Sequence, residues 1–296
     1  MIEVRAPATS ANLGSGFDVF GVALNKPADV VRVGKADETS IEVKGAGARY
    51  IPEDPRKNTA GEVARQLGVD VRIEIDKGVR PSSGLGSSAA SAAGVAVGID
   101  ELFEMDLSDD ELIGAAAEGE RVVSGEAHKD NVAPCVKGGF TVSDPDDGTV
   151  GFPAEFHCVV ALPDLILSTS DARDALPERV SLGQRSKTVA DASKVVAGVL
   201  RDDIELLGSG MQDEVVEDAR SELIDGYETA RERAVEAGAV AVTISGAGPS
   251  LLGVCERDDK PDVAEAFVEV FWEEGVESRA YQARVGDGAQ VTGRRL

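Results

Sequence analysis

Residues 81–91, Pro-Ser-Ser-Gly-Leu-Gly-Ser-Ser-Ala-Ala-Ser, have a composition suited to binding phosphate. They follow an alternating run at 71–76 that predicts a strand, and they precede small residues compatible with a long helix. A glycine-rich turn opening a helix presents backbone N–H groups at the positive end of the helix dipole, where anions bind. The glycines permit close backbone approach, and the serine hydroxyls add donors or a Mg²⁺ ligand. An ordinary flexible turn is the alternative interpretation.

This turn differs from the common P-loop. The chain contains no Gly-x-x-x-x-Gly-Lys-Ser/Thr string, and the turn itself contains no lysine. A phosphate bound here would therefore depend on backbone amides, hydroxyl groups and a metal ion.

Three other segments contain polar groups that could bind a small polar ligand. Taken singly, each is explained as well by an Ω-type loop, by a polar turn after a helix, or by a hairpin turn. The segments are residues 6–18 with Asn12 and Asp18, residues 124–135 with His128, Asp130 and Asn131, and residues 245–250, Ser-Gly-Ala-Gly-Pro-Ser.

The charge of the chain excludes some partners. Its 296 residues include 54 acidic and 30 basic residues, for a net charge of −24. Such a surface repels nucleic acid. The acidic residues are spread along the chain, which is typical of a protein from a halophilic organism, where salt screens the repulsion.

Other features of the composition predict a cytoplasmic protein without membrane segments. No apolar run approaches the roughly 20 residues that a membrane span needs, and the amino terminus lacks the pattern of a secretion signal. The three cysteines are far apart in apolar surroundings and the two histidines lack metal-ligand spacing, so we expect neither disulfides nor zinc.

Strand-like and helical runs cluster rather than alternate strictly, which favours an α+β fold. The Asp144–Gly148 turn and Pro153 are the best candidates for a boundary between two halves. Predicted strands cover residues 2–6, 30–33, 41–44, 71–76, 158–162, 166–168, 239–245, 251–255 and 277–283. Predicted helices cover 59–67, about 89–103, 109–123, 182–207, 211–220, 221–237 and 262–274. Asn58 can cap the first of these, and Ser108-Asp-Asp-Glu111 predicts a capping box at the start of the third.

The order of these four motifs resembles the homoserine kinases, members of the small-molecule kinase superfamily named for galactokinase, homoserine kinase, mevalonate kinase and phosphomevalonate kinase (GHMP). The resemblance extends from Val4 to about Cys255. The central serine loop is shared by the superfamily, whereas the opening segment and His128-Lys-Asp-Asn-Val-Ala-Pro-Cys135 look specific to homoserine kinases.

The resemblance implies a two-domain α+β fold, with an ATP-binding domain at 1–155, a second domain at 156–296 and the active site in the cleft between them. It implies ATP-dependent phosphorylation of the side-chain hydroxyl of L-homoserine to O-phospho-L-homoserine, a step of threonine biosynthesis. Members commonly form dimers, so a homodimer is one expectation.

Site residues follow by position from the same resemblance. The ATP phosphates would contact Pro81, Ser82, Ser83, Gly84, Leu85, Gly86, Ser87, Ser88, Ala89, Ala90 and Ser91, and Asn58 would contact the nucleotide. Mg²⁺ would be held by Ser88 and Glu120. Homoserine would meet Asn12, Asp18, His128, Asn131, Arg173, Arg220 and Gly246. Planar guanidinium groups suit a carboxylate, although each arginine could instead form a surface ion pair. For Glu120, a solvated helix face is the alternative.

Asn131 bears on the catalytic mechanism. Mevalonate-kinase-like relatives have an aspartate base beside the acceptor hydroxyl, and an amide cannot accept a proton. The expected catalytic residues are therefore Asn131, Ser88 and Glu120, with the γ-phosphate taking the hydroxyl proton. Asp130 is the alternative base.

Two other functions stay open at this point. One is a sister kinase that acts on mevalonate or shikimate, which Asp18 and the segment from His128 disfavour. The other is a nucleotide-binding protein without turnover, which the intact set of Ser88, Glu120 and Asn131 disfavours.

Overall fold

The computed structural model describes residues 1–125, 127–144 and 147–294. It has the predicted α+β fold, which contains two β-sheets with helices packed on each of them. The strands are β1 (Ile2–Asn12), β2 (Gly16–Lys35), β3 (Ser40–Gly45), β4 (Val71–Lys77), β5 (Phe140–Ser143), β6 (Thr149–Phe152), β7 (His157–Pro163), β8 (Ala239–Ile244), β9 (Leu251–Cys255), β10 (Ser278–Arg284) and β11 (Gln290–Arg294). The helices are α1 (Thr59–Gln66), α2 (Ser87–Phe103), α3 (Asp109–Ser124), α4 (Val132–Lys137), α5 (Thr169–Asp174), α6 (Leu182–Arg201), α7 (Ile204–Gly210), α8 (Val216–Ser221), α9 (Tyr227–Glu236) and α10 (Lys260–Glu273).

The larger sheet carries α2, the helix that begins in the segment 81–91. Its strands run in the order β11-β1-β2-β4-β3, and β5 pairs with β2 and β6. Helix α2 packs on β1 and β2. The small side chains of α2 allow this close approach, and Ala89, Ala92, Ala93 and Ala96 are fully buried. This packing places the N-terminus of α2 beside Thr9 of β1, whose N–H donates to the Leu85 carbonyl (3.1 Å).

The smaller sheet carries the second glycine-rich loop. Its order is β10-β7-β9-β8, all antiparallel. Val263, Phe267, Val270 and Phe271 of α10 are buried against it. The connection from β8 to β9 is residues 245–250, as the sequence predicts.

Several sequence-based predictions are confirmed. Strand β4 covers the predicted run, and α1 begins after Asn58, whose side chain accepts a hydrogen bond from the Ala60 N–H (3.0 Å). Helix α3 begins with the predicted capping box between Ser108 and Glu111. Local capping signals thus identified these helix starts correctly.

Two predictions of local structure are wrong. Residues 6–12 are not a loop; they extend β1 and pair with β2. Their small side chains allow this, because they are buried where β1 packs against neighbouring elements. Residues 166–168 form no strand, since the Ser168 hydroxyl instead caps α5 by accepting from the Asp171 N–H (3.0 Å).

The helices of the second half are shorter than predicted. The predicted helix at 182–207 divides into α6 and α7 at Asp202, which has a left-handed backbone (φ 52°). The helix predicted at 211–220 forms only as α8, and the one predicted at 221–237 begins at Tyr227 after Gly226 (φ 80°).

The division near residue 155 stays a prediction. One fact bears on it: β11 pairs with β1, so the end of the chain joins the larger sheet. The predicted turn at 144–148 includes Pro145 and Asp146, which lie outside the described residues. Within the described ranges, no helix is both long and apolar enough to cross a membrane.

Candidate active site

A cavity of ≈ 330 Å³ lies where the start of α2, the β1–β2 turn and the loop 245–250 meet. Its wall contains the predicted site residues with three exceptions: Leu85, Ala89 and Ala90. The side chains of these three are 1%, 0% and 0% exposed in the hydrophobic core. Their side chains therefore pack in the core rather than line the cavity, and their contact with phosphate stays a prediction that concerns their backbone amides.

One end of the cavity is formed by the start of α2. Gly86 precedes the helix with a left-handed backbone (φ 62°, ψ 39°), and the Ala90 N–H donates to the Gly86 carbonyl (2.8 Å). The N–H groups of the first turn, at residues 87–89, have no partner within a helix. A Cβ on Gly84 would lie 2.3 Å from the Ser245 carbonyl oxygen, so only glycine lets this loop contact the loop 245–250. These amides can bind an anion.

Lys77 lies beneath this end and is not among the residues predicted from the sequence. It is 3% exposed and forms an ion pair with Asp29. Its Nζ donates to the Ser87 carbonyl (2.6 Å) and to the Ser91 hydroxyl (2.9 Å). A signal was available: Lys77 continues the inward-facing alternation of β4, a position where an unpaired lysine would be costly.

Ser88 and Glu120 meet beside the first turn of α2. The Ser88 hydroxyl donates to Glu120 Oε2 (2.7 Å). Glu120 as a whole is partly exposed, but its Oε1 is buried, and this desolvation raises the pKa of the carboxyl group to about 7.

This pair suits a hard divalent cation. Hydroxyl and carboxylate oxygens are the donor types that Mg²⁺ prefers, and Mg²⁺ commonly takes one or two protein ligands with phosphates and water completing its shell. The part of the chain described by the structure has no group of three His, Cys, Asp or Glu residues that could hold a metal alone. The two residues therefore fit Mg²⁺ carried with a phosphate group.

The other end of the cavity holds two arginines beside an aspartate. Arg173 Nη2 lies 3.2 Å from Asp18 Oδ2 and 3.1 Å from His128 Nε2. Arg220 is 3% exposed, and its guanidinium donates to the carbonyls of Ala172 (Nε, 3.1 Å) and Gly246 (Nη1, 2.9 Å). Both guanidinium groups lie over the Phe17 ring, at 5.7 and 5.1 Å from its centroid. A pair of cations next to a carboxylate suits a zwitterionic ligand.

Glu217 holds the helix that carries Arg220. Its Oε1 accepts from the Tyr227 hydroxyl (2.6 Å) and from the Ile244 N–H (2.9 Å), two residues before Gly246. Burial raises the pKa of Glu217 to about 7. Nothing local in the sequence marks this residue, since its partners lie on α9 and β8.

Asn12 connects the two loops at this end. Its Nδ2 donates to the Gly246 carbonyl (2.9 Å), and its Oδ1 accepts from the Asp18 N–H (3.0 Å). The amide of Asn12 thus joins the β1–β2 turn to the loop 245–250, in addition to lining the cavity.

Asp130 and Asn131 lie between the two ends. Asp130 is 5% exposed, and its Oδ1 accepts from the Asn131 backbone N–H (2.9 Å) and from Asn131 Nδ2 (3.3 Å). The Thr9 hydroxyl donates to Asn131 Oδ1 (2.8 Å). Burial and the nearby Asp18 charge raise the pKa of Asp130 to about 6, although His128 opposes the shift.

Asn58 belongs to a third wall, with Tyr50, Ile51 and Pro52. Besides capping α1, it donates from Nδ2 to the Pro52 carbonyl (2.7 Å). Its side chain therefore shapes this wall by holding residues 50–52 in place.

Comparison with protein families matches two regions of the chain. Residues 56–139 match the GHMP kinases N-terminal domain, and residues 195–272 match the GHMP kinases C-terminal domain.

Close relatives match over nearly the full length. A homoserine kinase of Haloarcula marismortui is 56% identical, with 98% of this chain and 100% of the relative covered. A homoserine kinase of Natronomonas pharaonis is 54% identical with the same coverage. Both organisms are halophilic archaea, which agrees with the acidic composition.

Among solved structures, a homoserine kinase of Cytophaga hutchinsonii superposes with a TM-score of 0.90 at 34% identity. The match covers 98% of this chain and 96% of that one.

Proposed function

This chain belongs to the homoserine kinases of the GHMP kinase family, and from that premise we propose that it transfers the γ-phosphoryl group of ATP to the side-chain hydroxyl of L-homoserine. The observation that carries the proposal is one cavity with two unlike ends. A helix start with Ser88 and Glu120 forms one end, and Arg173, Arg220 and Asp18 form the other.

ATP occupies the end formed by residues 81–91 in this proposal. Amides of the first turn of α2 and the serine hydroxyls contact its phosphates. The nucleoside lies along the wall of Tyr50, Ile51, Pro52 and Asn58, which leaves the opposite end for the acceptor. Ser88 and Glu120 hold Mg²⁺, which when bound neutralises charge on the transferred phosphoryl group.

L-Homoserine occupies the end with the two arginines. Its carboxylate binds Arg173 and Arg220, and its ammonium group binds Asp18. The Arg173–Asp18 ion pair is replaced when the amino acid enters, because each partner takes the opposite charge of the zwitterion. His128 and Asn12 hold this wall in shape.

Asn131 orients the acceptor hydroxyl in the reaction. The hydroxyl oxygen forms a bond to the γ-phosphorus, the bond from that phosphorus to the β–γ bridging oxygen breaks, and ADP leaves. The hydroxyl proton passes to an oxygen of the transferred phosphoryl group, because a loose transition state requires little basicity from the acceptor. Asp130 is the alternative base.

An ADP-release assay in molar KCl with Mg²⁺ tests the proposed reaction. We expect turnover with L-homoserine and little with mevalonate or shikimate, and the product should be O-phospho-L-homoserine by mass spectrometry. Turnover only with mevalonate or shikimate would support a sister kinase. Tight ATP binding without turnover of any acceptor would support a non-catalytic protein.

Mg²⁺ binding has a separate test that does not use turnover. Calorimetric titration of the ADP complex with Mg²⁺ should give a large loss of affinity for Glu120→Gln, with Glu118→Gln on the same helix as the control. Equal affinities for the two variants would exclude Glu120 as a ligand.

We further propose a cytoplasmic protein that acts on small molecules rather than on nucleic acid or membranes, supported by its charge of −24. The family resemblance supports a homodimer, and light scattering in molar KCl measures the oligomeric state.

A further inference from the structure

We propose that Thr9 is a positioning residue, which sets the orientation of the Asn131 amide and aligns it with the phosphate-binding loop. The inference rests on the proposed function, since it assigns Asn131 the acceptor hydroxyl. Thr9 belongs to β1 and is fully buried.

Thr9 contacts both Asn131 and the proposed phosphate-binding loop. Its hydroxyl donates to Asn131 Oδ1 (2.8 Å), and its backbone N–H donates to the Leu85 carbonyl of the phosphate-binding loop (3.1 Å). A Cβ added to Gly86 would lie 2.0 Å from Thr9 Oγ1 and 2.9 Å from Asn131 Oδ1. The start of α2 and the Asn131 amide therefore pack against the same hydroxyl group.

Two hydrogen bonds determine which way the Asn131 amide faces. An ionised Asp130 carboxylate can only accept hydrogen bonds, so the amide nitrogen faces it (3.3 Å) and the amide oxygen faces Thr9. Rotating the amide by half a turn would place its oxygen next to the carboxylate, where two acceptors would face each other without a hydrogen. The Thr9 hydroxyl stabilises the orientation in which the amide oxygen faces it, because the hydroxyl donates a hydrogen bond to that oxygen.

This orientation has a chemical consequence. An amide nitrogen carries two hydrogens, and the bond to Asp130 uses one of them. In the proposal the other donates to the acceptor hydroxyl oxygen, whose own proton then points towards the γ-phosphate. Thr9 thus favours the arrangement in which the acceptor proton can pass to the phosphoryl oxygen.

Steady-state kinetics of Thr9→Val and Thr9→Ser test this role. Valine preserves the shape of threonine but lacks the hydroxyl, and we expect kcat to fall roughly tenfold or more while the KM values for ATP and L-homoserine change less than about twofold. Serine keeps the donor and should recover most of the lost kcat. Thr141→Val serves as the matched control, because this buried β5 threonine donates to the Gly21 carbonyl (3.4 Å) and does not line the cavity.

A double-mutant cycle separates positioning from general destabilisation. In an Asn131→Ala background, Thr9→Val should cause little further loss of kcat, because its partner is gone. Unchanged kcat in Thr9→Val, or the same loss with and without Asn131, would overturn the proposal.

Folding and function failures remain distinguishable. If Thr9→Val does not fold, Thr9→Cys supplies a side chain of similar size with a weaker donor, and wild-type kcat in that variant would overturn the role. Absence of wild-type turnover with L-homoserine would instead contradict the proposed function.

Discussion

The two ends of the cavity are built differently. In the proposal, the end that binds phosphate takes its amides and hydroxyls from one continuous segment, 81–91, which enters α2 at Ser87, and Glu120 of α3 joins it through Ser88. The acceptor end is assembled from Asp18, His128, Arg173 and Arg220, which lie on four separate parts of the chain. A phosphate site can thus be local, because helix geometry supplies its donors, whereas recognition of an amino acid requires charges from distant segments.

The ends also differ in how their charges are balanced. Lys77 under the phosphate loop is paired with the buried Asp29, so the helix amides face the cavity next to an internally balanced pair. At the acceptor end, Arg173 pairs with Asp18 on the cavity wall, where a zwitterionic ligand can replace either partner. Binding of the amino acid is therefore an exchange of ion pairs in this proposal.

The largest effect is expected at Gly86, where the proposed phosphate end packs against Thr9 and Asn131. Gly86→Ala would place a Cβ 2.0 Å from Thr9 Oγ1 at a φ of +62°, so the loop and Asn131 cannot both keep their positions. We expect kcat/KM for both substrates to fall by at least ~10²-fold. Steady-state kinetics measures this loss.

Gly114→Ala is its control. Gly114 lies in α3 with nothing within 4 Å of an added Cβ, and alanine favours a helix. Activity should be unchanged in Gly114→Ala, and near-wild-type activity of Gly86→Ala would contradict the close packing of the α2 start against Thr9 and Asn131.

Arg220→Lys tests whether the acceptor end acts separately from the phosphate end. Lysine keeps the charge, but its donors share one nitrogen, whereas Arg220 reaches the Ala172 and Gly246 carbonyls from two separate nitrogens and keeps further N–H groups for a carboxylate. The expected result is a roughly 10–100-fold lower kcat/KM for L-homoserine with an unchanged KM for ATP. Arg233→Lys, in an exposed ion pair with Glu273, is the matched control. A parallel rise in the KM for ATP would show that the ends are not separate.

Asp130→Asn tests the alternative base between the two ends. The asparagine oxygen can still accept the hydrogen bonds from Asn131, so we expect kcat to fall by no more than about tenfold at any pH between 6 and 9. The pH–rate profile of the variant measures this. A loss of ~10³-fold with unchanged substrate binding would identify Asp130 as a general base.

Glu217→Gln gives the smallest expected effect on activity and a measurable one on stability. The folded protein raises the pKa of Glu217 from 4.5 to about 7 through burial. Its protonated form is therefore favoured by folding, and this stabilisation is complete below about pH 4.5 and is lost as the pH rises through about 7. Between pH 5 and 8 the loss is on the order of 3 kcal/mol in the free energy of unfolding.

Denaturant unfolding at several pH values, in constant KCl, measures the free energy of unfolding of the wild type and of Glu217→Gln. The glutamine variant should lose less stability than the wild type as the pH rises, because its side chain does not ionise. If the free energies of unfolding of the two proteins change in parallel with pH, the pKa of Glu217 is not raised in the folded protein. Glu120 and Asp130, whose pKa values are also raised, remain in both proteins and contribute equally.

The sequence predicted the elements with strong local signals. Asn58 and Ser108 identified two helix starts correctly, because an N-cap side chain bonds to amides only two or three residues away. Prediction was wrong at residues 6–12, where small polar residues suggested a loop. Their extended conformation depends on pairing with β2, which is not visible in the segment itself.

The amino-acid sequence by itself determined the glycine- and serine-rich turn at 81–86, the helix that follows it and, through its motifs, the family. These depend on contacts between residues close in the chain. Only the tertiary structure decided that Lys77 balances Asp29 beneath the loop, that Glu217 holds the helix of Arg220, and that Thr9 contacts Asn131. Each of these contacts joins residues on different elements, so its geometry depends on how the sheets and helices pack and cannot be read from local spacing.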